Sequence, residues 1–171
     1  MENQTQTTIK YIKGDIFDFL PNYQTPIILS HICNDLGIMG GGIALSIKRK
    51  FPKAFQHYSD WYNDWCKIDI IDKNEFLPLG ITQFIPINNT LDIANMIAQH
   101  DIDEIDNIPP IRYEALENCL NQVANYSKIK NAQVIGPKFG AGLAGGDWNI
   151  IEKIIQNKLC NQNVQVTIFE L

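Results

Sequence analysis

The chain has 171 residues, 45% of them hydrophobic, which fits one compact α/β domain with a proper core. Its 14 Lys and Arg against 19 Asp and Glu leave a formal net charge of -5, which excludes a broad nonspecific nucleic-acid surface, since phosphate neutralisation needs clustered cations. No run approaches ~18 consecutive apolar residues, the scattered Cys33, Cys66, Cys119 and Cys160 spell no metal site or disulfide framework, and the polar start carries no leader pattern, so a cytoplasmic protein is expected.

Residues 1–7 read as a flexible tail, and residues 8–12 alternate as a strand ending at the turn Lys13-Gly14-Asp15. Asp15 suits the N-cap of a short helix from Ile16 to Leu20. Residues 26–30 form a continuous apolar run, short enough for a strand buried on both faces. The stretch that follows holds His31, Asn34, Gly37 and the triple glycine Gly40-Gly41-Gly42. Gly42–Lys50 is predicted helical, with Ile43, Ile47 and Phe51 on one face. Its last turn carries Lys48-Arg49-Lys50, the one basic cluster in the sequence, where cations stabilise the helix dipole.

Pro52 opens a second helix, whose Phe55, Tyr58, Trp61, Tyr62 and Trp65 fall at helical spacing. That is a packing face rather than a platform for stacking bases. Residues 80–86 and 91–98 are apolar runs flanking Asn88-Asn89, a turn pair suited to a hairpin. Residues 101–110 are acidic, end in Pro109-Pro110 and form an exposed loop. From Arg112, the residues Tyr113, Leu116, Leu120, Val123 and Ala124 mark an amphipathic helix. A strand through Val134-Ile135 leads to a second glycine turn, Gly140-Ala141-Gly142 and Gly145-Gly146. Asp147 caps the last helix, which is marked by Trp148, Ile151, Ile154, Ile155 and Leu159, and residues 164–169 close the chain as a strand. Strands alternate with helices and the hairpin makes the sheet mixed, which predicts a three-layer α/β/α sandwich.

Each glycine turn feeds a helix from the end of an apolar strand. Glycine lets backbone N–H groups approach a ligand, and a helix N-terminus adds partial positive charge. Two such turns at the carboxyl ends of strands make a cleft that holds phosphates from both sides. The cleft is not a P-loop, because no Gly-Lys-Ser or Gly-Lys-Thr occurs. The string Gly140-Ala141-Gly142-Leu143-Ala144-Gly145 matches a dinucleotide fingerprint, but too little chain follows it to complete that fold.

Four segments then stand in a recognisable order. They are Lys13-Gly14-Asp15-Ile16-Phe17; His31-Ile32-Cys33-Asn34 running into Met39-Gly40-Gly41-Gly42-Ile43-Ala44; Pro137-Lys138-Phe139-Gly140-Ala141-Gly142-Leu143 before Asp147-Trp148; and the terminal Val166-Thr167-Ile168-Phe169-Glu170-Leu171. From Lys10 to Leu171 the chain resembles the macrodomain family, the ADP-ribose-binding α/β/α modules. It looks most like the branch that holds the terminal ADP-ribose protein glycohydrolase and the yeast ADP-ribose-1''-phosphate phosphatase. The resemblance implies one macrodomain over residues 1–171, with ADP-ribose or a derivative as ligand, ADP-ribosylated proteins as partners, no membrane, no cofactor and no metal.

It also implies roles. Asp15 would accept a hydrogen bond from the adenine amine, with Ile16 lining the base pocket. Phe169 would pack on the adenine face, a buried strand aromatic being the alternative. Met39, Gly40, Gly41, Gly42 and Ile43 would lie along the diphosphate and distal ribose. Pro137, Phe139, Gly140, Ala141, Gly142 and Leu143 would close over the phosphates from the other side. Asn34 would bond the distal ribose hydroxyls, and Gln99 would reach them from the opposite wall.

Catalysis is less legible. The glycohydrolase of this branch uses a lysine where Gln99 stands here and an aspartate where Ala144 stands. Glutamine cannot form the covalent adduct and alanine cannot relay a proton. His31, expected to end a strand at the first loop, could act as acid, base or phosphoryl acceptor; a buried, hydrogen-bonded histidine is the alternative. With Asp35 it makes the catalytic pair, so loss of turnover with retained binding is expected in His31→Ala or Asp35→Ala. Three functions stay open: a hydrolase of ADP-ribose-1''-phosphate or an ADP-ribosyl ester, a noncatalytic ADP-ribose reader or scavenger, and a sugar-nucleotide or NAD-binding protein.

Overall fold

The apolar runs pair into one six-stranded sheet, in the order β1-β6-β5-β2-β4-β3. A computed structural model describes residues 6–68 and 75–171. Its strands are β1 (Lys10–Lys13), β2 (Ile27–Asn34), β3 (Thr82–Pro86), β4 (Leu91–Gln99), β5 (Gln133–Pro137) and β6 (Val166–Glu170). All neighbours are parallel except β3 and β4, which make an antiparallel hairpin. In its turn the Asn88 Oδ1 accepts from the N–H groups of Thr90 and Leu91, both at 2.8 Å. The mixed sheet is therefore as the sequence predicts.

Helices cover both faces. On one side lie α1 (Ile16–Phe19), α2 (Gly42–Lys50) and α3 (Pro52–Lys67), and on the other α4 (Tyr113–Lys130) and α5 (Trp148–Lys158). Successive side chains of a strand point to opposite faces, so Ile28 joins Leu116, Leu120 and Ile155 while Leu29 joins Ile47 and Ala54. The aromatics of α3 are packing residues. Tyr58 is fully buried, and Phe55, Trp61, Tyr62 and Trp65 pack around Cys33, Met39 and Ile97.

Strand ends differ from expectation in one consequential place. The sequence stops the second strand at Ser30, yet β2 runs on to Asn34 because its ladder with β4 continues to the pair Asn34↔Gln99. A register shift falls between Cys33 and Asn34, where Ala98 of β4 is skipped. Such a bulge re-aims the residues after it. His31 thus sits inside the strand rather than at its end. Smaller differences place the start of β1 at Lys10 and of β6 at Val166. Residues 101–110 are a mostly exposed loop, with Ile105 and Ile108 exchanging two backbone hydrogen bonds across Asp106 and Asn107, both at positive φ.

Candidate functional site

At the carboxyl ends of β2, β4 and β5 lies a cavity of about 570 Å³. Asn34 builds its first wall. The Asn34 Oδ1 accepts from the N–H groups of Leu36 at 3.0 Å and Ile38 at 3.2 Å and from the Tyr58 hydroxyl at 2.8 Å, while Nδ2 donates to the Ile38 carbonyl at 2.7 Å. The loop is wound around this one side chain. It delivers Gly40, Gly41 and Gly42 to the N-terminus of α2, where no side chain caps the helix. The first N–H groups of α2 therefore face the cavity without an intrahelical partner.

The second wall is the loop after β5. Its backbone folds on itself through Gly145 N–H to the Gly142 carbonyl at 3.0 Å and Gly146 N–H to the Gly140 carbonyl at 2.8 Å. Gly140 has φ +66, and a Cβ there would lie 2.4 Å from Ile111 Cδ1 and 2.8 Å from Ile32 Cδ1, so only glycine fits. Leu143 projects from this loop, 76% exposed, and its Cδ1 would sit 2.8 Å from a Cβ on Gly41. The two glycine loops meet at this methyl group, over the mouth of the cleft.

Beneath the second loop the Phe139 ring is fully buried against Gly136. A Cβ on Gly136 would stand 2.1 Å from Phe139 Cε1 and 2.7 Å from the Ser30 carbonyl oxygen. Gly136→Ala is expected to destabilise the protein by about 3 kcal/mol, the upper end of ordinary overpacking, since a ring and a main-chain oxygen must both give way. Urea unfolding measures this; a midpoint equal to the parent's would mean that the ring escapes the clash.

Among the expected ligand residues, Asn34, Gly40, Gly41, Gly42, Ile43, Gln99, Pro137, Phe139, Gly140, Gly142 and Leu143 line the cavity. Ala141 belongs to the second loop and packs against the core below. Asp15, Ile16 and Phe169 lie outside the lining, at the β6–β1 end. Phe169 is in register with Pro137 on one side and Ile12 on the other, and Gly14 N–H donates to the Glu170 carbonyl at 2.7 Å. Asp15 caps α1, its Oδ1 accepting from Phe17 N–H at 2.9 Å. Ile16 is a core residue beside Leu29, and Phe169 packs on Phe19 with ring centroids 5.1 Å apart. The alternative reading of Phe169, a buried strand aromatic, describes its environment.

Three placements depart from expectation. Met39 is 1% exposed and turned into the core beside Tyr58, because the loop wound on Asn34 points it inward. Asn34 lines the cavity as expected, and its side-chain bonds also brace the first loop. His31 does not reach the cavity. It is fully buried on the α3 face, with Nε2 2.6 Å from Asn95 Oδ1, and burial pushes its pKa down to about 4 while the Asn95 bond opposes that shift. Asp35 is 1% exposed and also outside the lining; its Oδ2 pairs with His100 Nδ1 at 2.7 Å and its Oδ1 accepts from Asp101 N–H at 2.9 Å. Those bonds hold the chain that follows Gln99, whose own Nε2 donates to the Asp101 carbonyl at 3.0 Å.

Sequence reasoning also missed lining residues. Ile102 reaches the cavity from the acidic loop, and its only signal was an isoleucine between two aspartates. Lys138 is the one charged side chain among the described lining residues, and it is paired with Glu170 at 2.6 Å. Asp147 caps α5 as expected, accepting from Asn149 N–H at 2.8 Å. The cavity thus offers backbone donors and apolar walls, with no carboxylate or imidazole side chain in its described lining.

No protein-family model matches the chain. A protein named ADP-ribose 1''-phosphate phosphatase from Debaryomyces hansenii is 29% identical over 186 residues, covering 95% of this chain and 99% of that one. A protein of unknown function from Bacteroides thetaiotaomicron is 36% identical in sequence and superimposes with a TM-score of 0.85 over 96% of this chain and 99% of its own. The macrodomain protein of Streptomyces coelicolor is 32% identical, with a TM-score of 0.78 over 95% of this chain and 99% of its own. The chain belongs to the macrodomain family. In this macrodomain both glycine loops fall on the cavity, and among the described residues no helix is long and apolar enough to cross a membrane.

Proposed function

We propose that this macrodomain binds ADP-ribose between its two glycine loops and hydrolyses a derivative of it, with ADP-ribose 1''-phosphate as the first candidate substrate. The observation that carries the reading is the facing pair of loops, with the uncapped N-terminus of α2 on one side and Leu143 reaching over it from the other. The full-length likeness to a phosphatase of that name supports the choice of substrate. Gly40, Gly41, Gly42 and Ile43 donate to the diphosphate, and Phe139 to Leu143 enclose it. Gln99 stands at the distal ribose. The adenine lies toward the β6–β1 end, where Asp15 Oδ2, which has no hydrogen-bond partner among the described residues, takes its amine and Ile16 and Phe169 back the base pocket.

Hydrolysis adds water across the ester P–O bond and releases inorganic phosphate and ADP-ribose. Lys138 and the buried Cys33 thiol, whose pKa burial pushes up, are the titratable side chains of the described lining, so the attacking water is oriented by backbone groups and the Gln99 amide. His31 and Asp35 act as positioning residues: the first under the sheet, the second by fixing the chain beyond Gln99. The same lining favours a second reading, a noncatalytic reader of ADP-ribose or of ADP-ribosylated proteins.

Calorimetry with ADP-ribose, with NAD, ADP and AMP as controls, tests the binding, and phosphate release from ADP-ribose 1''-phosphate tests the chemistry. The expected result is about micromolar binding, ~8 kcal/mol, together with release. Binding without release leaves the reader; absence of ADP-ribose binding overturns both. Asp15→Ser is a sharper probe, because serine keeps the N-cap of α1 but is too short for the base. It should weaken ADP-ribose about tenfold, ~1.4 kcal/mol, with little change in melting temperature.

A further inference from the structure

A second cavity, of about 600 Å³, opens at the amino ends of β2 and β4, where Ile27 and Leu91 begin their strands. It is at the far end of the sheet from the glycine loops. The seven residue steps of β2 separate the two by roughly 23 Å at ~3.3 Å each. A volume of this size lies in the range that holds small organic ligands, ~300–1,000 Å³.

One wall is aromatic. Phe17 of α1 and Phe51, just after α2, have ring centroids 6.4 Å apart at 39°, and Tyr23 lines the cavity beside them. Lys50 is the one charged residue of the lining, with Nζ 5.1 Å from the Phe17 centroid and no carboxylate partner among the described residues. It ends the basic run Lys48-Arg49-Lys50, which the glycine cleft does not use. The opposite wall is the hairpin turn. Asn88 spends its Oδ1 on the turn, which leaves its NH2 open, and the Asn89 amide and Tyr23 hydroxyl make no hydrogen bond among the described residues.

We propose that this cavity is a second ligand site, for a nucleotide. A planar base fits against Phe17 and Phe51, two open amides meet its polar edge, and Lys50 meets the phosphate. Phe17, Tyr23 and Phe51 pack on the core below, and Lys50 lies over the Phe17 ring. Yet the face they leave to the cavity joins aromatic rings to a cation with no carboxylate partner among the described residues, and the two together point to a ring that carries an anion. The site stands independently of the ADP-ribose reading, since it shares no lining residue with the glycine cleft.

The test is an amide-resolved NMR titration of the Gly41→Glu variant, whose glycine cleft is blocked, with adenosine 5'-monophosphate. Saturable shifts at Tyr23, Lys50 and residues 88–90 are expected. Lys50→Glu, at an exposed position, should weaken binding at least tenfold, and Phe17→Leu should weaken it with the apolar volume kept. Adenosine and ribose 5-phosphate, each lacking one half of the recognised chemistry, should bind more weakly than the nucleotide. No saturable shift, shifts confined to the glycine loops, or an affinity indifferent to Lys50→Glu overturns the site. Tighter binding of 4-hydroxybenzoate than of the nucleotide overturns the ligand class.

Discussion

Gly41→Glu removes ADP-ribose binding and leaves the fold intact. Gly41 has φ -151 and ψ 170, an extended conformation open to any residue, so no backbone strain follows. Space is available at small cost, because the atom a new Cβ meets at 2.8 Å is the end of the flexible, exposed Leu143 side chain. The added carboxylate then stands at the N-terminus of α2, in the place proposed for the diphosphate. Against one phosphate charge at ~4 Å and an effective dielectric of ~20, the repulsion is about 4 kcal/mol, roughly a thousandfold in Kd. Calorimetry reads the loss, and a melting temperature close to the parent's shows that the fold survived. Gly41→Ala is the control. It moves Leu143 but adds no charge, so binding should weaken no more than about tenfold, ~1.4 kcal/mol. Parent-like affinity in Gly41→Glu would remove the first loop from the ligand site.

Acidification from pH 6.5 to about pH 4 costs the protein about 3 kcal/mol through His31 alone. Asn95 Nδ2 donates to the Ala54 carbonyl at 3.3 Å and to Gln83 Oε1 at 3.2 Å, which leaves its Oδ1 as acceptor for a proton on His31 Nε2. Cys33 Sγ lies 3.9 Å from Nδ1 and 3.6 Å from Nε2, and among the described residues no carboxylate pairs with the ring to stabilise a second proton. Burial lowers the folded-state pKa below the unfolded value of 6.5. Between the two values the unfolded chain binds more protons, and stability therefore falls as pH falls. Above pH 6.5 the contribution is fully present; below about pH 4 the loss is complete. Urea unfolding across this window measures the slope. In His31→Gln, whose amide can still donate to Asn95, the His31 part of the slope disappears, and ADP-ribose affinity should stay within a factor of about two because His31 lies outside the cavity. A large loss of ADP-ribose affinity in that variant would return His31 to the cleft.

Much of the fold could be read directly because its signals are local. The helix Gly42–Lys50 needed only a glycine start and an apolar spacing, and the hairpin needed only Asn88-Asn89 between two apolar runs. Both glycine loops were legible for the same reason: glycine marks where backbone must turn or be approached. The misplaced residues failed for a shared physical cause. His31 and Asp35 are polar residues beside an apolar strand, and chain position alone cannot say which face or partner receives them. Continuing the β2–β4 ladder by four residues past Ser30 put His31 under α3 and Asn34 inside its own loop. Asp35 found His100 and Asp101, more than sixty residues away.

The sequence by itself determined the order of elements, the two glycine-rich turns and the apolar faces that form the core, since each depends on spacing within a short segment. Only the tertiary structure decided which polar groups reach the cleft. That outcome depends on ladder register and on partners distant in the chain, and a single bulge or an added strand pair moves a side chain from one face of the sheet to the other.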